Sequence, residues 1–193
     1  MEILFKNSET LTGEEISLWE TEFDSKRVAL VNRKQEKDRI LSICGDLLIL
    51  KAFKSKFKDK PLLTKYTEHG KPYLKDNEFY ISVSHKGNLA VCAVCEREIG
   101  IDIESVKTFD KRLADRICNE QELNYIGNDD LRFAQIWTIK EAYSKLCGHG
   151  IAMGLKSIII DIQNKTVCNL PYYTEVQDGY VYSWVVSEKF EKL

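Results

Sequence analysis

The run Ile99-Gly100-Ile101-Asp102-Ile103-Glu104 alternates apolar and polar residues. A period of two fits a strand with one buried face. Ile99, Ile101 and Ile103 then enter a core, and Asp102 and Glu104 leave together on the opposite face. Two carboxylates about 7 Å apart on one strand repel each other unless a cation lies between them. A second segment, Trp137-Thr138-Ile139-Lys140-Glu141-Ala142-Tyr143-Ser144-Lys145, reads as helix and adds a third carboxylate, Glu141. Three hard oxygen donors from two elements suit Mg²⁺, which takes few protein carboxylates and fills its shell with water and phosphate oxygens. Phosphate chemistry is the first class of function this pattern suggests.

On a helix, Phe133, Ile136, Trp137, Tyr143 and Leu146 form an apolar stripe. Glu141 falls at its border, and Lys145 lies one turn further on. Lys140 falls inside the stripe. A lysine there needs an anionic partner, or must snorkel to solvent, because an unpaired buried charge is costly. Taken alone, Glu141 and Lys145 read equally well as an ordinary i,i+4 surface pair.

The 193 residues, 44% of them apolar, suffice for one large domain or two small ones with a real core. The net charge of −2 argues against a general nucleic-acid binder. Cys92 and Cys95 are three apart on an apparent strand, so their thiols face opposite sides and share neither metal nor disulfide. The other four cysteines are scattered, and all six read as small buried hydrophobes in a reducing compartment. No signal peptide opens the sequence and no apolar run approaches a membrane span. The expected location is the cytoplasm.

Residues 2–5 read as a strand, and residues 12–23 as a helix with Thr12 and Glu15 in a capping-box spacing. Residues 24–57 read as mostly helical, with a buried central helix over 39–53. A strand is predicted over 62–66 and a loop over 68–74, where Gly70 and Pro72 fall. Residues 79–84 and 89–95 form a hairpin about a turn at 85–88, and 99–104 follow as a third strand. Short helices are predicted over 111–118 and 120–126. A longer one is capped by Asp129 or Asp130, runs to about Leu146 and ends at Gly148 and Gly150. The tail, 155–162, 166–168, 172–176 and 180–186, reads as a β-meander. Helices followed by a small antiparallel sheet thus occur twice. The fold class is α+β, in two related halves with pseudo-twofold symmetry, divided as residues 1–100 and 101–193. Trp19 and Trp184 are expected in cores, and His69 and His149 in surface loops.

Gly100-Ile-Asp-Ile-Glu104 followed by Trp137-Thr-Ile-Lys-Glu-Ala-Tyr-Ser-Lys145 resembles the double signature of 4′-phosphopantetheinyl transferases. Gly70-Lys71-Pro72-Tyr73-Leu74 resembles the family's upstream Gly-Lys-Pro loop, and Ile81-Ser-Val-Ser84-His85 its strand ending in Ser-His. Length and two halves per chain point to the monomeric, surfactin-synthetase-activator (Sfp-like) class. The resemblance implies transfer of the phosphopantetheine arm of coenzyme A to a serine of an apo acyl or peptidyl carrier protein, with release of 3′,5′-ADP. It implies Asp102, Glu104 and Glu141 as ligands of Mg²⁺, with Mn²⁺ an alternative. Glu141 becomes the general base, Lys145 contacts the pyrophosphate and Lys140 assists. Ser84 and His85 touch the coenzyme A phosphates, Lys71 and Pro72 border the adenine, and Arg39 reaches the nucleotide from the first half. The basic positions between Lys26 and Arg39 lie where the family recruits phosphate-binding cations. Arg112, Leu113, Arg116 and Ile117 suit an acidic carrier with an apolar patch, or else a packing helix. Two other readings stay open: a Mg²⁺-dependent phosphodiesterase or nuclease built on the same carboxylates, and a non-catalytic coenzyme A or carrier binder.

Overall fold

The structure is a computed structural model that describes residues 1–67, 70–74, 79–148 and 154–187. The expectations for His69, His149 and Gly150 lie outside the described residues. Among the described residues the chain is α+β, with six α-helices and ten strands, and every strand pairing is antiparallel.

In the first half, β1 (Glu2–Asn7), β4 (Tyr80–Lys86) and β5 (Leu89–Cys95) form a sheet in the order β1-β5-β4. Helices α1 (Gly13–Glu22), α2 (Ser25–Asn32) and α3 (Glu36–Lys56) cover one face. The Thr12–Glu15 capping box is present at the start of α1. The carboxylate of Asp24 caps α2 by accepting from the N–H groups of Lys26 and Arg27. At the centre of α3 sits Asp46, 2% exposed. It accepts from Trp19 Nε1, from Arg27 Nε and Nη2, each at 2.9 Å, and from the Tyr66 hydroxyl at 3.2 Å. This buried carboxylate is tolerated because every neighbour donates to it.

Gly70 and Pro72 mark a loop in the sequence, but Pro72–Leu74 is a short strand, β3, paired with β2 (Thr64–Tyr66). A two-stranded sheet leaves every strand an open edge, so the missing proline N–H costs no ladder bond.

The second half contains β6 (Ile99–Ser105), α4 (Lys111–Ile117), α5 (Glu120–Ile126), α6 (Asp130–Cys147), β7 (Ile160–Asp161), β8 (Thr166–Val167), β9 (Leu170–Gln177) and β10 (Tyr180–Val186). The sheet order is β6-β10-β9-β8-β7. The expected tail meander is present, except that Leu155–Ser157 forms a 3-10 turn before β7. β6 belongs to this sheet from its first residue, pairing Ile99 with Val186, so a division after residue 100 cuts through it. It cannot extend the hairpin through β5, whose two edges already hold β1 and β4.

Alternation on β6 has the predicted consequence. Ile99, Ile101 and Ile103 join Val91, Ala93, Tyr182 and Trp184 in a core between the two sheets. On the other side, Gly100 meets α6 directly: a Cβ there would stand 1.9 Å from the carbonyl oxygen of Ala142 and 2.6 Å from the nitrogen of Leu146. Cys92 lies in the core under α3 and Cys95 in the core between the sheets, on opposite faces as expected. Trp19 and Trp184 are both buried.

Along one edge the sheets are stitched by serines. β4 and β6 share no ladder, but Ser82 Oγ accepts from the Ile101 N–H at 3.1 Å and Ser84 Oγ donates to Asp102 Oδ1 at 2.7 Å. Replacing Gly100 by alanine is expected to drive β6 and α6 apart. Overpacking of this kind costs typically ~1–3 kcal/mol, and backbone against backbone belongs at or above the top of that range. Urea unfolding of Gly100→Ala checks it.

Candidate active site at the β4, β6 and α6 seam

Helix α6 is delimited by local chemistry. Asp129 caps its N-terminus, accepting from Leu131 and Arg132, and Gly148 ends it with φ of 74°. That left-handed conformation favours glycine. At the same end, Lys71 Nζ donates to the carbonyl of Leu146 at 2.9 Å, where a cation also meets the negative end of the helix. Burial pushes the Lys71 pKa down from its ordinary value.

The close contact at Gly100 brings the β6 carboxylates next to α6. Lys145 Nζ donates to Asp102 Oδ1 and to Ser84 Oγ, both at 2.6 Å, and so closes a triangle with the Ser84–Asp102 bond. Lys145 therefore pairs with Asp102, and the i,i+4 surface reading with Glu141 does not hold. Glu104, two residues further along, has Lys86 Nζ at 2.6 Å from its Oε1. The same oxygen accepts from the Ser105 N–H at 3.0 Å.

Glu141 differs from both. It is 8% exposed, and its Oε1 is buried with no hydrogen-bond partner. Burial first, then the charge of Asp102, raise its pKa, and Lys145 offsets part of this. Two like charges and an unsatisfied oxygen in one buried corner are the signature of a group that awaits a cation or a proton.

Among the described residues, no three His, Cys, Asp or Glu side chains converge as a ready metal cage. Asp102 and Glu104 each hold an ammonium instead. The donor set nevertheless fits a hard divalent ion. Asp102 and Glu141 interact electrostatically, Glu141 Oε1 lacks a partner, and Glu104 leaves the strand on the same face as Asp102.

His85 is exposed at the end of β4. Partial burial, then Lys145 and Lys34, hold its pKa below the ordinary value, while Asp38 pulls it back up. Lys34, fixed by Ser42 Oγ at 2.8 Å, precedes α3 and thus belongs to the first half. Two lysines from opposite halves around one imidazole make an anion-attracting corner. Beside it, Gly70, Lys71, Pro72, Ser82, Val83, Lys145 and Gly148 line a cleft of about 150 Å³. A wider groove of about 510 Å³ between α1 and α3 contains none of these groups.

Comparison with known proteins identifies the family. The 4′-phosphopantetheinyl transferase superfamily matches residues 98–191. The 4′-phosphopantetheinyl transferase gsp of Aneurinibacillus migulanus is 30% identical over 171 residues, covering 80% of this chain and 72% of that protein. The chain belongs to the 4′-phosphopantetheinyl transferase family. It is of the Sfp-like type: Sfp of Bacillus subtilis (strain 168) is 28% identical over 133 residues, 65% of this chain and 59% of Sfp. A crystal structure of Helicobacter pylori holo-[acyl-carrier-protein] synthase in complex with coenzyme A overlaps with a TM-score of 0.39 at 24% identity, covering 47% of this chain and 99% of that one.

Of the residues expected in this transferase's site, Ser84, His85, Asp102, Glu104, Glu141 and Lys145 lie on β4, β6 and α6, and Lys71 and Pro72 reach the seam from the start of β3. Arg39 is half-buried, with its Nε donating to Asn32 Oδ1 at 2.9 Å. The first-half cation beside His85 is instead Lys34, one of several in the basic stretch and not distinguishable there by pattern. Lys86 falls in the turn that the sequence predicts over 85–88, but it is the last residue of β4.

Lys140 does not join the site. It is fully buried, and its Nζ donates to the carbonyls of Leu155 at 3.0 Å and Ile158 at 2.6 Å and pairs with Glu122 Oε2 at 2.8 Å. Glu122 is itself buried and accepts from the N–H groups of Asn119 and Ile160. The apolar-stripe position of Lys140 demanded an anion, and α5 supplies it. The ammonium is thus committed to structure and, contrary to the expectation for Lys140, is not at the seam to assist at the pyrophosphate. The carrier-docking set is also revised. Arg112 and Arg116 are exposed, but Ile117 is 5% exposed and Leu113 packs on the same core, so the apolar pair belongs to the interior.

Lys140→Met leaves Glu122 as an uncompensated buried charge and is expected to cost about 3–5 kcal/mol in urea unfolding. Glu141→Gln is expected to act in the opposite sense. Because the folded-state pKa of Glu141 is raised, the native protein binds more protons than the unfolded chain above the ordinary carboxylate value, and its stability falls as pH rises through that window. Without metal, Glu141→Gln should therefore melt above the parent at pH 7. The gap should close as the pH falls below about 4, towards protonation of the carboxyl in both states.

Proposed function

We propose that this transferase moves the 4′-phosphopantetheine arm of coenzyme A onto a serine hydroxyl of an apo acyl or peptidyl carrier protein, releasing 3′,5′-ADP in a Mg²⁺-dependent reaction. The observation that carries this reading is the orphaned, buried Oε1 of Glu141 beside the Asp102–Lys145–Ser84 triangle.

Asp102, Glu141 and Glu104 would hold the divalent ion, Mg²⁺ or Mn²⁺, which when bound neutralises charge on the pyrophosphate. Glu141 is suited to take the serine proton, because burial and Asp102 raise its proton affinity. The serine oxygen bonds to the phosphorus that carries pantetheine, and the bond from that phosphorus to the bridging oxygen breaks. Lys145 stabilises the ADP phosphate as it leaves. His85, with Lys34 and Lys145 around it, offers a cationic corner for the 3′-phosphate. The cleft at Lys71 and Pro72 is smaller than the roughly 300–1,000 Å³ of pockets that enclose a drug-sized ligand, so the coenzyme lies across the seam with one end in the cleft.

A non-catalytic binder has no use for a buried carboxylate without a partner. A nuclease has no use for the Lys71–Pro72 cleft and the His85 corner. No helix among the described residues is long and apolar enough to cross a membrane. We place the enzyme in the cytoplasm as a monomer.

The test is the intact mass of an apo carrier protein incubated with this protein, coenzyme A and Mg²⁺. One phosphopantetheinyl group should be gained, and the gain should be lost with EDTA. Asp102→Ala and Glu141→Ala should each slow the gain by about 10²-fold or more. Normal turnover by either variant would remove that residue from the reaction.

A further inference from the structure

Glu104 and Lys86 form an ion pair that the reaction as described does not use. Three carboxylates occupy the seam, and each has its charge handled differently. Asp102 is matched by Lys145, Glu104 by Lys86, and Glu141 by no group that reaches its buried oxygen. Lys145 has an evident second duty at the pyrophosphate. Lys86 has none assigned, yet its ammonium lies 2.6 Å from Glu104 Oε1.

The pair is fixed by its surroundings. Lys86 is the last residue of β4, one position after His85, opposite Leu89 across a tight hairpin. Gly87 at the hairpin tip has φ of 63°, and the Tyr180 hydroxyl fills the space a Cβ would take there. On the other side, Glu104 is held by the Ser105 N–H at 3.0 Å and the Ser105 hydroxyl at 3.3 Å, both on the oxygen that Lys86 contacts. Lys86 and Glu104 side chains are 33% and 18% exposed, so the pair is partly shielded and still reachable by an anionic ligand.

We propose that Lys86 is a built-in counter-cation at Glu104 that competes with the divalent ion and yields when the phosphates of coenzyme A arrive. This rests on the metal assignment given above for Asp102, Glu104 and Glu141. A divalent ion and an ammonium cannot share one carboxylate oxygen without mutual repulsion, so an occupied Glu104 lowers metal affinity. Lys86 shares the β6-facing side of β4 with Ser84, whose Oγ accepts from Lys145, so it stands beside the lysine at which the pyrophosphate of coenzyme A would gather. A phosphate there gives the ammonium a new partner and releases Glu104. Metal and coenzyme A then favour each other's binding, and by linkage the coupling is reciprocal. The enzyme without substrate is thereby kept from holding a fully charged metal centre.

The experiment is a Mn²⁺ titration followed by electron paramagnetic resonance of the free ion, on the parent, Lys86→Met and Lys86→Arg, without and with coenzyme A. Circular dichroism first establishes that the variants are folded. Without coenzyme A, Lys86→Met is expected to bind Mn²⁺ about three- to fivefold more tightly than the parent, the scale of one partly exposed ion pair. Lys86→Arg, which keeps the charge, should match the parent. Adding coenzyme A should tighten Mn²⁺ binding more in the parent than in Lys86→Met. Equal or weaker Mn²⁺ binding by Lys86→Met in the absence of coenzyme A overturns the role of Lys86. Absence of Mn²⁺ binding by all three proteins even with coenzyme A overturns the metal assignment itself, a result distinct from the first.

Discussion

The approach of β6 to α6 at Gly100 is the constraint on which the site depends. With no side chain at that position, strand and helix backbones meet, and the next outward residue of β6, Asp102, comes within reach of Lys145. One residue longer at position 100 and the carboxylates of strand and helix would separate. The serines of β4 then bind the other half to the same place, through Ile101 N–H and Asp102. The candidate site thus lies where two sheets are joined by side chains instead of a ladder, and both halves contribute residues to it.

Burial sorts the charged groups into two kinds. Asp46 and the Lys140–Glu122 pair are fully compensated, each accepting or donating wherever it can, and they hold helices in place. Glu141 is buried with one oxygen unsatisfied, and its surroundings disfavour its charged form. A buried ion pair anchors when its partners are complete and marks function when they are not. Lys140 and Glu141 are adjacent in sequence and fall on either side of this line, because α5 offers an anion to one, while the seam faces the other with a second carboxylate whose lysine is already engaged.

Much of this was legible in the sequence wherever the signal is local. The Thr12–Glu15 box, the Asp129 cap and Gly148 bound helices through contacts within a few residues. The period-two run from Ile99 sends isoleucines and carboxylates to opposite faces whatever the partner strand. The stripe on α6 showed that Lys140 lacked a reason to be apolar-facing, but not that Glu122 supplied it, because that residue is on another helix. The pairing of β6 with β10, the strand at Pro72, the choice of Lys34 over Arg39 and the contact of Lys86 with Glu104 all depend on which elements become neighbours. No periodicity within one segment carries that information.

Each of the three cores contains one indole. Trp19 is buried in the core under α3, Trp137 packs on the core beneath α6, and Trp184 lies between the two sheets. Intrinsic fluorescence therefore has a separate address for each region. Variants that retain a single tryptophan would let the loosening of the first half, of the second half and of the seam be followed one at a time, so that the order in which the molecule comes apart can be read optically.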